Sequence, residues 1–118
     1  VLKHWVQEFI LTAGPLNESQ GDYDKNYLSF VLTNGKAFYA FNGGQALFYS
    51  TYKKLCPERK SCAFFAKSCE QRVANGEKVQ HLLVSSEVIQ NENIWTPLKY
   101  GHALAVSEDF SFSDTSIF

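Results

Sequence analysis

Three cysteines and three histidines are the first residues here to weigh for chemistry. Cys56, Cys62 and Cys69 are separated by five and then six residues. Structural zinc knuckles usually place two thiols two to four residues apart, so that one tight turn aims both at the ion. Neither spacing does this. An odd number of cysteines also closes no complete disulfide framework. The three read as reduced thiols, with a single disulfide, a redox pair or a metal site as the alternatives, and Cys56, before Pro57 in a charged loop, reads as the most exposed. A thiol–imidazole pair could be drawn between Cys69 and His81 or between Cys56 and His102. Nothing in the surrounding sequence favours either.

The other candidates have ordinary readings. His81 lies in an apolar run and reads as a core or edge histidine bonded to backbone rather than a base, and His4 reads as a surface residue. No G-x-S-x-G elbow and no H-E-x-x-H are present. Asp22 and Asp24 lack the glycine and the distant glutamate of a calcium loop, and Gly43-Gly44 lacks the pattern that cradles phosphate. Both read as turns. Ser86 and Glu87 follow an apolar run. The spacing of Glu87 and Glu92 assigns them no common cleft.

The elements that must position these residues are mostly strands. Residues 1–11 carry Val1, Leu2, Trp5, Val6, Phe9 and Ile10 at helical spacing, and Gly14-Pro15 stops the helix. Residues 15–26 are a polar loop. Residues 27–33 and 36–41 are β-prone runs on either side of Asn34-Gly35, the strongest short hairpin signal, which predicts a two-residue type I′ turn. Residues 46–51 predict a third strand, 79–84 a fourth, 102–106 a fifth and 109–112 a sixth. The connection 52–78 is charged, holds all three cysteines and predicts a short helix at 63–73. The tail after Ser113 reads as frayed. The first hairpin is apolar on both faces, so it must be covered on both sides. A chain this short has little material to do so, which points to partners outside it.

Composition sets outer limits. With 45% hydrophobic and 19% charged residues the chain has the composition of a packed core and not that of a disordered segment. A net charge of −1 offers no basic stripe for a nucleic acid. No apolar run approaches the roughly 20 residues that span a bilayer, and no secretory leader pattern opens the chain. A cytoplasmic protein is the expectation, with no membrane and no cofactor. The chain begins at Val1 and contains no Met. It reads as a trimmed product or, in preference, as a piece of a longer polypeptide.

Two segments carry a resemblance. Leu28-Ser29-Phe30-Val31-Leu32-Thr33-Asn34-Gly35 with Ala37, Tyr39 and Ala40 resembles the "LNFLLTDG…LYA" hairpin of small class II glutamine amidotransferases, and Leu47-Phe48-Tyr49 matches a later aromatic strand. Leu82-Leu83-Val84-Ser85-Ser86-Glu87-Val88-Ile89, then Trp95-Thr96-Pro97-Leu98 and Gly101-His102-Ala103-Leu104-Ala105-Val106, is similar to the family's "VVASEPLT…W.PV..G.LLVV". Order and spacing agree over residues 27–106. Ser29 replaces the usual Asn, Val88-Ile89 replaces Pro-Leu, and residues 53–78 are longer than the usual linker.

The resemblance implies an α+β fold, a four-layer αββα sandwich of the N-terminal-nucleophile hydrolase type, of which residues 1–118 supply the C-terminal portion. It implies hydrolysis of a glutamine or γ-glutamyl amide through a cysteine thioester. The nucleophile, its α-amino base and the oxyanion donors belong to the family's first half. Val1 has no nucleophilic side-chain atom, and no internal cysteine has a free α-amino group, so no catalytic residue carries over. The chain alone is expected to be inactive, and its partner is the N-terminal portion of the same protein or a companion chain. Only Ser86 and Glu87 match a motif near the family's cleft, as candidate substrate contacts. The alternatives are a non-catalytic binding or regulatory module and an unrelated small β-rich domain.

Overall fold

The computed structural model describes residues 2–16 and 26–118. The chain is a small α+β protein dominated by antiparallel strands. Helix α1 (Leu2–Ala13) is followed by β1 (Phe30–Thr33), β2 (Phe38–Phe41) and β3 (Phe48–Ser50). A 3₁₀ turn at Lys67–Cys69 precedes β4 (Leu83–Ser85), β5 (Thr96–Pro97), β6 (His102–Val106) and β7 (Phe112–Ser116). Sheet 1 has the order β1-β2-β6-β7 and sheet 2 the order β4-β3-β5.

Strand alternation sorts the core into two layers. Phe38 and Ala40, Leu104 and Val106, and Phe112 leave one face of sheet 1 and meet Tyr49 and Val84 of sheet 2, with Leu47, Val73, Val79, Leu82 and Leu98 around them. Phe30, Phe41 and Ala103 leave the other face and meet Val6, Phe9 and Ile10 of α1, with Ile117 beside them. Helix, sheet and sheet therefore stack in that order. Phe41 is fully buried and packs on Phe30 at 5.6 Å between ring centroids. Cutting such a ring back to Ala costs about 3–5 kcal/mol. Among the described residues α1 is the only α-helix.

Several expected elements changed. The helix runs to Ala13 and ends at Gly14, whose φ of +101° a side chain would resist. Val1, Asp22 and Asp24 lie outside the described residues. The hairpin turn is not type I′: Thr33 pairs with Phe38, so four residues form the loop, and Asn34 does not take positive φ. Asn34 Oδ1 instead accepts from the N–H groups of Lys36 and Ala37 at 2.9 Å, and Thr33 Oγ1 accepts from Gly35 N–H. Side-chain acceptors close the turn locally, as Asn and Thr do in such loops.

The helix predicted at 63–73 is reduced to the single 3₁₀ turn. Ala66 is extended and offers no cap, and Phe64 and Phe65 share no apolar stripe with Val73 across Lys67, Glu70 and Arg72. The run 79–84 is split between the sheets. Val79 N–H donates to Phe110 O beside sheet 1, whereas Leu83 and Val84 join sheet 2. The sixth strand is displaced to Phe112–Ser116, because residues 107–111 form the turn. The tail is not frayed: Ile117 is buried and its N–H donates to Gly101 O at 2.8 Å. Phe118 lies over Gly101, where a Cβ would meet its ring at 2.7 Å. No helix among the described residues is long and apolar enough to cross a membrane.

Candidate functional site

Sheet 1 has two edge strands, and the chain treats them differently. In an antiparallel ladder, residues alternate between turning their N–H and C=O groups to the neighbouring strand and turning them away. On β7, Ser107 N–H donates to Ser111 O and Ile117 N–H to Gly101 O, which sets the phase: Phe112 and Asp114 point outward. Both are taken. Gly76 N–H donates to Phe112 O at 2.8 Å and Phe112 N–H to Glu77 O at 2.9 Å. Asn75 Nδ2 donates to Asp114 O at 3.0 Å, and Asp114 N–H donates to Asn75 Oδ1 at 2.9 Å. Residues 75–77 thus cap that edge.

The β1 edge differs. Leu28 N–H donates to Gly43 O and Asn34 N–H to Ala37 O, so Leu28, Phe30, Leu32 and Asn34 face β2, while Val31 and Thr33 turn their backbone groups outward. No described residue meets the outward groups of Val31 and Thr33. Beside them runs an open groove of about 840 Å³ lined by Leu2, Lys3, Trp5, Phe30, Val31, Leu32 and Tyr39. Trp5, Val31 and Leu32 are 51%, 50% and 54% exposed. Trp5 stands edge-on to Phe30 at 5.6 Å, which holds one wall upright. An apolar sheet edge in water, even one of four residues, offers unpaired backbone groups to another strand unless something blunts it.

A second constellation lies on the face of sheet 1 that looks toward sheet 2. Leu104 pairs with Asp114, so His102, two residues from Leu104 on the same face, comes beside Asp114. His102 Nδ1 and Asp114 Oδ1 are 2.7 Å apart and half-buried. The Tyr49 hydroxyl is pushed up from its usual range, first by burial and then by the Asp114 charge, with the Arg72 cation pulling the other way. An aspartate on Nδ1 leaves Nε2 as the ring nitrogen for proton transfer. Among the described residues no Ser, Thr or Cys side chain bonds to His102.

The sequence candidates lie elsewhere. Ser86 and Glu87 are exposed in the turn after β4, where Glu87 N–H donates to Ser85 Oγ at 3.1 Å. Among the described residues no hydrogen bond or ion pair joins them to the groove or to His102–Asp114. Neither thiol–imidazole pairing forms a bond: Cys56 is buried with its N–H on Glu70 Oε2 at 2.6 Å, and His102 is on Asp114. All three thiols are free, Cys62 is the exposed one, and no three His, Cys, Asp or Glu side chains converge among the described residues.

His81 is not bonded to backbone as expected. Its Nε2 is buried without a hydrogen-bond partner among the described residues, as is Asn93 Oδ1. Burial, then the Lys53 cation, holds the imidazole below the ordinary histidine range, while Asn93 pulls it back up. Lys53 in turn reaches Glu92 at 3.4 Å.

Sequence reading missed both the dyad and the open edge. His102 and Asp114 share a face only when the turn sits at 107–111 rather than inside a strand. The exposure of β1 depends on what lies next to it, which no local pattern records. No protein-family model, no curated protein and no solved structure matches the chain.

Proposed function

We propose that this chain is the C-terminal part of a glutamine amidotransferase-like amidohydrolase, contributing part of a four-layer αββα sandwich of the N-terminal-nucleophile type. The observation that carries the reading is that, among the described residues, one helix and two antiparallel sheets stack with the β1 edge and its adjoining apolar groove left uncovered. Such a stack gains stability by accepting further strands and a further helix layer. In the complete protein the companion part brings an N-terminal cysteine. Its thiolate adds to the amide carbonyl, the C–N bond breaks, ammonia leaves with the transferred proton, and water then cleaves the thioester. This chain supplies scaffold, with Ser86 and Glu87 as candidate substrate contacts.

The test is made on the native polypeptide purified from its source. Its intact mass should exceed that of residues 1–118 or include a companion chain. It should release ammonia from glutamine or a γ-glutamyl amide and lose this on thiol alkylation, while the 118-residue chain alone is inactive. A native polypeptide that ends at these residues, has no companion and hydrolyses none of these amides sinks the reading. A second reading, a non-catalytic binding module, is favoured by the same open edge, and it wins if the edge binds a partner while every amide is left intact.

A further inference from the structure

The contrast between the two edges of sheet 1 says more than that an apolar surface is exposed. The chain spends residues 75–77 on capping β7, satisfying both outward groups of Phe112 and both of Asp114. It leaves the equivalent groups of Val31 and Thr33 on β1 without a described partner. Val31 as a whole residue is 50% exposed, in an extended backbone beside a groove with apolar walls. Two further strand features fix what can sit there. The outward N–H and C=O groups recur every second residue, which matches only another extended chain. The groove wall on the helix side is Leu2, Trp5, Leu32 and Tyr39, with Lys3 as its one charged residue. Lys3 is in the first turn of α1, where the helix dipole adds to its positive field.

We infer that the β1 edge is a strand-addition site, which takes an extended segment with apolar residues at alternate positions and an acidic side chain set against Lys3. The segment comes from the companion part that completes the sandwich. Its source rests on the amidohydrolase reading, whereas the edge chemistry does not. A second copy is the poorer occupant. Pairing β1 with β1 of another molecule would bring a second Lys3 and a second helix N-terminus to the same junction, like charge against like.

Backbone phase makes the inference testable. Val31 N–H is not used by β2, whereas Leu32 N–H is. In the native polypeptide from its source, the amides of Val31 and Thr33 should exchange slowly with solvent, as those of Phe30 and Leu32 do. In the 118-residue chain they should exchange fast, with Phe30 and Leu32 still slow. The probe for the isolated chain is the peptide Val-Thr-Val-Thr-Val-Thr-Glu. Methylating its amide nitrogens in one alternate set should abolish binding, and methylating the other set should leave it. Val31→Pro should weaken the peptide about tenfold, the equivalent of one or two lost backbone bonds, with circular dichroism unchanged. Lys3→Glu should weaken it by up to about fivefold at low salt and favour a peptide ending in Lys instead.

Fast exchange at Val31 and Thr33 in the native polypeptide overturns the inference. So does peptide binding that is indifferent to which set is methylated, or a doubled mass in solution that Val31→Pro abolishes. Slow exchange without amide hydrolysis leaves the strand site standing and removes the amidohydrolase reading; hydrolysis with fast exchange does the reverse.

Discussion

Asn42 is the side chain whose replacement reports most directly on how the layers are joined. It is buried just past β2, and its Nδ2 donates to Leu98 O at 2.7 Å, across from the end of sheet 2. Its Oδ1 accepts from Gly44 N–H at 3.0 Å, and its backbone bonds His102 O and Gly101 N–H. Asn42→Ala removes both side-chain bonds and leaves a buried carbonyl and a buried amide unpaired. At about 1 kcal/mol net per bond, and more for a group left unsatisfied, the loss should be roughly 2–4 kcal/mol. That is a large share of the 5–15 kcal/mol that holds a typical domain. Asn42→Asp separates the two bonds. Its carboxylate still accepts from Gly44, but it sets an oxygen against Leu98 O and buries a charge, so at pH 7 it should be less stable than Asn42→Ala.

The introduced carboxyl should have a raised pKa in the folded state, for the same reason. Its protonated form donates to Leu98 O. Stability is therefore fully present below the unfolded pKa of about 3.9 and lost as pH rises through the folded value. Urea titrations of wild type, Asn42→Ala and Asn42→Asp at pH 4 and pH 7 measure this. An Ala variant that costs under about 1 kcal/mol, or an Asp variant whose deficit relative to Ala does not grow with pH, refutes the role given to Asn42.

Three more outcomes are expected. Gly43→Ala places a Cβ 2.2 Å from the backbone oxygen of Leu28, which cannot swing away, so thermal unfolding should show a loss of about 1–3 kcal/mol or more. Phe110 holds φ +67° in the turn before β7 with its ring 63% exposed. Phe110→Asn should raise stability by roughly 0.5–1 kcal/mol in the same assay, because Asn tolerates this backbone better and little packing is lost. His81 is held below its ordinary pKa, so it favours the fold while neutral. Its contribution is complete above about pH 6.5 and falls as pH drops toward the folded value, and His81→Gln should flatten the stability profile between pH 7 and pH 5.

Much of the strand content was legible from local pattern. The run His102–Val106 matched its predicted bounds, and the amphipathic spacing of Trp5, Val6, Phe9 and Ile10 placed α1 because a helix that must bury one stripe shows it in any window. The doubly apolar hairpin implied cover on both faces, but the cover comes from the chain itself, α1 on one side and sheet 2 on the other, and not from outside partners as the shortness of the chain had suggested. Two-residue turn geometry at Asn34-Gly35 failed because Thr33 and Asn34 side chains satisfy a longer loop equally well. The helix at 63–73 failed because a short charged segment with two scattered phenylalanines gains little by burying a stripe. Of the candidate site residues, Ser86 and Glu87 were chosen by motif, and the fold leaves them in an exposed turn.

By itself the sequence determined α1, the strands of the first hairpin and the strand 102–106, and that their apolar faces needed cover, since these follow from residue types within a few positions. Tertiary structure alone decided which strand edge is sealed and which is open, and that His102 meets Asp114. Those outcomes depend on pairing between segments far apart in the chain, and on the backbone phase of that pairing. A one-residue shift would reverse which groups face outward, with no change in composition at all.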